Sequence, residues 1–263
     1  MAPPRDDRVP SVHAWLASNR GHVTCTLCGS QMRDHHEATL LGRHRVAYFE
    51  CTGCGFLRTE DPYWLAEAYS SAISALDTGA VARNIDCARD LSRLIPMLFG
   101  RDGHFLDFAG GHGVMTRLMR DYGLDYYWSD EYAVNHYAQG FDWGPSLVPA
   151  VAVTAVEVLE HVTDPVSLVA EVLEVSSTEN VLFTTLLRPR RFDSDWWYLA
   201  TDSGQHVGFH TRESLRALAS RVGLTYQGIG RWHLLTATPL SAPRVAAATV
   251  AMAPGVVPRG QVP

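Results

Sequence analysis

Residues Phe105 to Gly113 read Phe-Leu-Asp-Phe-Ala-Gly-Gly-His-Gly, and a second acid, Asp130, follows about one strand-and-helix unit later. An apolar run that closes in an acid and a glycine turn describes a strand delivering its C-terminal end to the start of a helix. That corner belongs to an open, largely parallel sheet, whose ligands sit at the strands' C-terminal edge. The glycines let a ligand approach the backbone closely, and the later carboxylate can accept both hydroxyl protons of a ribose. A dinucleotide fingerprint would place a third glycine near position 116, where Thr116 stands. The pattern therefore suits a mononucleoside and needs no pyrophosphate cradle.

Around this corner the chain alternates strand and helix. Strands are expected over 104–108, 126–129, 150–156 and 180–186, with helices carrying Val114, Leu118 and Met119, then over 131–139, then after Asp164-Pro165. Asp164 supplies an N-cap acceptor and Pro165 fits the first helical position. Thr211 caps a further helix with Leu215, Leu218 and Val222 on one face, and strands over 224–229 and 232–238 add an antiparallel edge. Upstream, Asp61-Pro62 opens a helix expected to run to residue 73. Val81, Ile85, Ala88, Leu91, Ile95 and Leu98 then mark a second helix that ends at Gly100. Residues 61–100 are expected to form a helical cap between an N-terminal module over 1–60 and the α/β domain over 101–240. The Ala, Val and Pro of 241–263 read as a flexible tail.

The N-terminal module is defined by Cys25, Cys28, Cys51 and Cys54, two Cys-x-x-Cys pairs with 22 residues between them. This is zinc-ribbon spacing, in which each pair offers two thiolates on a tight knuckle. Four sulfurs close the coordination sphere, so the expected zinc is structural. Two disulfides are the alternative, disfavoured in a cytosolic chain. Cys87 falls in a helical pattern and reads as a packed thiol.

Composition excludes several chemistries. All 22 basic residues are Arg, so lysine nucleophiles, lysine bases and a Walker lysine are ruled out, and the net charge of −6 gives no field to draw in nucleic acid. The first 60 residues hold seven Arg against six acids, which is not a basic patch. Neither a signal peptide nor an apolar stretch of membrane-spanning length is legible, and a cytoplasmic location is expected.

Taken together, these residues resemble the class I S-adenosylmethionine-dependent methyltransferases. Leu106-Asp-Phe-Ala-Gly-Gly-His-Gly113 is similar to their first motif, Asp130 to their ribose-binding acid, and Glu157-Val-Leu-Glu-His-Val-Thr-Asp-Pro165 to their fourth motif. The ribbon ahead of such a domain resembles that of sugar C-methyltransferases and related enzymes of polysaccharide and antibiotic biosynthesis. Two stretches, Asp130 to Phe141 and Trp196 to Thr211, look like blocks of that group. The resemblance implies an α/β Rossmann-like methyltransferase sheet with an antiparallel edge, a small N-terminal zinc ribbon and a helical cap. It places Asp107 near the methionine amine, with Ala109, Gly111 and Gly113 lining the cofactor through backbone. Asp130, with Glu131 behind it, would take the ribose, Phe141 would lie against the adenine, and Glu157 would border the pocket. Ala109 departs from the glycine that many members carry there.

Where sugar C-methyltransferases have Glu-His, this chain has Gln205-His206. The resemblance makes His206 the first candidate for a general base, since an imidazole suits deprotonation near neutrality. A structural loop histidine is the alternative. Tyr198 and Gln205 are candidates for holding an oxyanion, Trp196 and Trp197 for an acceptor wall or core, and His161 for shaping the pocket. Cap or surface carboxylates are the alternative for Glu157 and Glu160, His112 and His210 are nearby spares, and His35-His36 read as solvated ribbon residues. The expected acceptor is a small molecule, nucleotide-linked sugar or glycan precursor. Methylation of RNA or protein through the ribbon, and a non-catalytic zinc-stabilised scaffold, are the alternatives.

Overall fold

Two sheets sharing one core make up the computed structural model, which describes residues 24–69, 78–191 and 195–252. In the first sheet, β1 (Met32–Leu40) turns back at Gly42 into β2 (His44–Cys51), and β3 (Leu57–Thr59) follows after the second cysteine knuckle. Met32 stands opposite Cys51 and Leu40 opposite His44. A short helix, α1 (Leu65–Ala68), replaces the longer helix expected over 61–73, of which residues 70–73 lie outside the described residues.

The second sheet opens with α2 (Ala80–Phe99), β4 (His104–Phe108), α3 (Val114–Asp121) and β5 (Asp125–Ser129). It continues through β6 (Ala152–Val156), α4 (Pro165–Ser176) and β7 (Asn180–Thr184). After β8 (Gly208–Phe209) come α5 (Arg212–Arg221), β9 (Thr225–Ile229), β10 (Trp232–Thr236) and α6 (Ala242–Ala251). Strand order is β5-β4-β6-β7-β10-β9, with β5, β4, β6 and β7 parallel and the β9–β10 pair antiparallel at one edge. Side chains alternate between the two faces, as the pleat requires. Phe105, Ala152, Leu182 and Leu234 pack against α2, α3 and α6, while Leu106, Val153, Phe183 and Leu235 pack toward α4 and α5.

Four sequence expectations are corrected here. Residues 80–99 do not belong to a cap over the domain: α2 is a layer helix whose Leu91, Leu94 and Ile95 are fully buried with Phe105, Met119 and Trp232. No helix forms over 131–139. Asp130 accepts the Tyr132 and Ala133 amides, and Asn135 accepts the Ala138 amide, so short polar side chains capture the N–H groups that a helix would use. A single parallel bridge between Trp128 and Asp142 stands at the outer side of β5.

The tail is helical over 242–251: Ala248 is fully buried, and Arg244 donates to the Met97 and Leu98 carbonyls at the end of α2. Residues 253–263 lie outside the described residues. Finally, the N-terminal module does not end at residue 60, because β8 pairs with β3 and completes its sheet. Leu27, Met32, Phe49 and Phe56 share one apolar cluster with Leu106, Val153, Phe183 and Leu215.

Candidate active site

The β4–α3 corner is stitched to the end of β5. Asp107 is 2% exposed and its Oδ2 accepts the Thr116 hydroxyl at 3.0 Å. Burial, with the Asp130 charge adding to it, pushes its carboxyl up to about 7 against the opposing pull of Thr116. Asp130 Oδ2 accepts the Gly111 amide at 2.8 Å, and the Trp128 indole donates to the Gly111 carbonyl at 2.8 Å. A Cβ on Gly110 would stand 2.7 Å from Asp107 Oδ2 and 2.8 Å from Trp128 Cδ1. Both acids therefore bear on one turn, Asp107 from beneath and Asp130 from the side. A Cβ on Gly113 (φ 85°) would meet Ala138, whereas one on Gly111 meets nothing within 4 Å. The open side of the turn is at Gly111.

Ala109 adopts φ 54°, the left-handed region, which costs a residue with a side chain roughly 1–2 kcal/mol. The structure places Glu131 in solvent, and one face of the Phe141 ring is covered by the Arg120 guanidinium, 3.6 Å from its centroid.

A second group of side chains gathers after β6. Glu157 also takes a positive φ, 53°, and its amide is held by Thr184. The turn Leu159–His161 then drives Glu160 inward, where it is fully buried. Its Oε1 accepts the Tyr198 hydroxyl at 2.7 Å, and Oε2 has no hydrogen-bond partner. Burial and the adjacent Glu157 charge raise Glu160 to about 8. The Tyr198 hydroxyl lies 3.2 Å from Glu157 Oε2 and accepts the Leu186 amide at 3.0 Å. The His161 and His206 rings meet edge to face with centroids 4.8 Å apart. His206 Nδ1 donates to the Tyr198 carbonyl at 2.7 Å, and His161 Nδ1 lies 3.2 Å from the Gln205 carbonyl and 2.8 Å from the Tyr69 hydroxyl. Burial, then the neighbouring His161, lowers His206 to about 4.

Two candidates are turned away from the roles expected of them. The Gln205 side-chain amide donates to the Ala68 carbonyl, tying down α1, and the Tyr198 hydroxyl is committed to Glu160 and Leu186. Neither is presented as an oxyanion donor. Trp196 packs against Tyr198 and Phe209, leaving Trp197, 74% exposed, as the outward aromatic. His210 is fully buried, His112 bonds the Val134 carbonyl, and His36 stacks on Tyr48. Glu160 and Tyr69 are the residues that sequence reasoning undervalued. The Glu-x-x-Glu-His spacing pointed to the first, whereas nothing local pointed to Tyr69, which lies 92 positions from His161.

The four cysteines form a separate cluster. None is disulfide-bonded, and their Sγ atoms all lie within 4.8 Å of one another, with Cys25–Cys54 at 3.7 Å and Cys28–Cys51 at 3.4 Å. Sulfurs about 2.3 Å from a common tetrahedral centre lie about 3.8 Å apart, so this spacing can hold a metal ion. Gly53 makes the approach possible, since a Cβ there would fall 2.3 Å from Ser30 Oγ.

Residues 82–227, more than half of the chain, match the family model described as a methyltransferase domain. The chain belongs to this methyltransferase-domain family. Solved structures similar to the domain include CalO1, a methyltransferase in calicheamicin biosynthesis in its SAH-bound form (16% identity, 57% of this chain and 54% of that one, TM-score 0.39). Human N-acetylserotonin methyltransferase in complex with SAM matches at 16% identity over 67% of this chain and 59% of that one, with a TM-score of 0.45. RosA from Streptomyces davawensis, an N,N-8-amino-8-demethyl-D-riboflavin dimethyltransferase, matches at 17% identity over 61% and 54%, with a TM-score of 0.40. The matched part thus spans between about half and three fifths of these methyltransferases. No curated protein matches the chain. Among the described residues of the methyltransferase domain and its cysteine module, no helix is long and apolar enough to cross a membrane.

Proposed function

We propose that the chain transfers a methyl group from S-adenosylmethionine to a small hydroxylated acceptor, a sugar-linked molecule in the narrower form of this reading. The observation that carries it is the convergence of Asp107 and Asp130 on one glycine turn whose open side is at Gly111. The cofactor would bring a methyl carbon already activated by its sulfonium. The protein's work is then to align an acceptor atom behind that carbon and remove a proton.

Asp130 suits the ribose through Oδ2: Oδ1 is taken by the Tyr132 and Ala133 amides, and Oδ2 spends one of its two lone-pair sites on Gly111, leaving one for a ribose hydroxyl. Asp107, being buried, acts by positioning, holding Thr116 of α3 and the underside of Gly110 in place. His206 is the candidate base. Its Nδ1 proton is fixed on the Tyr198 carbonyl, which leaves the lone pair on Nε2. The likeness of the Trp196 to Thr211 stretch to sugar-modifying relatives supports the narrower acceptor class, with Trp197 as its aromatic contact. Zinc is our reading of the cysteine cluster, supported by the sulfur spacing and by the chemistry of four thiolates.

Incubating the protein with methyl-tritiated S-adenosylmethionine and an extract of a biosynthetic host should move label into the fraction of small molecules. Asp130→Ala should lower that rate by about tenfold or more, the worth of one charge-assisted hydrogen bond at about 1.5–3 kcal/mol. Label appearing instead in RNA or protein would replace this reading with a polymer acceptor.

A further inference from the structure

We infer that Glu160, His161 and His206 form a binding site for a divalent first-row transition ion, separate from the cysteine cluster. One ligand atom from each of the three lies within 4.8 Å of the others. Ligands about 2.1 Å from an ion stand about 3.0–3.5 Å apart in tetrahedral or octahedral geometry, so side-chain movements of about 1 Å close the set.

Each side chain is already oriented from behind, as metal ligands generally are. The Tyr198 carbonyl takes the Nδ1 proton of His206, which leaves that imidazole's lone pair on Nε2, and the His161 ring is held at Nδ1 between the Gln205 carbonyl and the Tyr69 hydroxyl. The Tyr198 hydroxyl binds Glu160 Oε1, which orients the carboxylate and leaves Oε2 buried without a partner. A fully buried carboxyl oxygen with nothing to accept from is destabilising, and a cation would satisfy it. Glu157, on the same Tyr198 hydroxyl, offers a second carboxylate at the rim.

The donor set also selects the ion. Two imidazoles and a carboxylate favour Mn, Fe, Co or Zn over Mg and Ca, which prefer all-oxygen shells. The site lies after β6, the strand beside β4, whose corner carries the cofactor turn. That placement rests on the transferase reading above, and it gives the ion the task of holding an acceptor oxygen toward the cofactor. His206 would then serve as a ligand in the loaded protein, in place of the base role proposed above.

The test is a titration of MnCl2 into the full chain with its cysteine site zinc-loaded, followed by electron paramagnetic resonance and calorimetry. Manganese leaves thiolate sites to zinc, so it reports on this cluster. One equivalent should bind, Glu160→Gln and His206→Asn should each weaken binding at least tenfold, and Tyr198→Phe should weaken it about tenfold through orientation alone. Thermal melts of the same samples identify any variant that fails to fold, in which case Tyr198→Phe decides. If neither Mn2+ nor Zn2+ binds beyond the cysteine site, or if binding is equal in wild type and variants, the inference is overturned. Measuring S-adenosylhomocysteine binding on these samples separates the two levels. Nucleoside binding without a second ion removes only the cation site, whereas absence of nucleoside binding removes the transferase reading beneath it.

Discussion

Cys51→Ser is expected to lose the zinc proposed for the cysteine cluster and to lower the melting temperature by about 10 °C or more. Structural zinc contributes on the order of 10–16 kcal/mol of apparent binding free energy to the fold that holds it. Losing half of that, about 5–8 kcal/mol, at roughly 2–4 °C per kcal/mol for a chain of this size, amounts to about 10 °C or more. The effect should not stay local. Phe49 and Phe56 from the cysteine sheet sit in the same cluster as Leu106 and Leu215, and β8, which closes that sheet, follows His206 by two residues. Freeing the knuckles should therefore disturb the loop that carries Tyr198, Gln205 and His206 as well. Atomic absorption should find one zinc per chain in the wild type and almost none in the variant. A zinc-free Cys51→Ser protein melting at the wild-type temperature would make the cysteines ordinary packing residues.

Arg188→Ala should have the second largest effect on stability, about 3 kcal/mol. Its guanidinium, 4% exposed, pairs with Glu50 of β2 and donates to the Gly55 carbonyl at 2.8 Å, which ties the knuckle loop to the strand end after β7. Removing one member of a buried pair leaves its partner uncompensated, which costs about 3–5 kcal/mol. The lower figure applies because Glu50 keeps its second ion pair, to the exposed Arg33. Arg188→Lys retains the charge but not the fork that reaches both oxygens, so about 1 kcal/mol is expected.

Burial alone would push the Glu50 carboxyl up, but hydrogen bonds and charge from Arg33 and Arg188 hold it below the usual value. The contribution of the pair is therefore complete above the unfolded glutamate pKa of about 4.3 and fades as pH falls through the lower folded value. Urea midpoints of wild type and Arg188→Ala at pH 7 and pH 3 check both statements. The difference should shrink in acid, and equal midpoints at pH 7 would contradict the coupling.

The parallel sheet could be read from the chain because its signals are local. The 104–108 strand, the Asp164 cap accepting two backbone amides at the start of α4, and the Thr211 capping box with Ser214 all lie within a few residues. The failures are long-range or compositional. The 131–139 stretch has helix-like spacing, yet Asp130 and Asn135 intercept its amides. Ala-rich 242–251 has no charge pattern, and its helix is anchored by Arg244 and by burial of Ala248 on α2. The β4–α3 glycine turn was legible as a motif, but the inward set of Asp107 rests on Thr116, nine positions on. Likewise, no local signal brings His206 to His161 across 44 intervening positions, or buries Glu160 beneath Tyr198.

Calorimetric titration of S-adenosylhomocysteine into the purified chain, beside Asp130→Ala, bears most directly on the nucleoside role proposed for the β4–α3 turn. One molecule should bind per wild-type chain, with affinity falling by about tenfold or more in the variant. No heat of binding to a folded wild-type protein, or equal affinity in the two, would contradict the assignment of that turn to a sulfonium nucleoside.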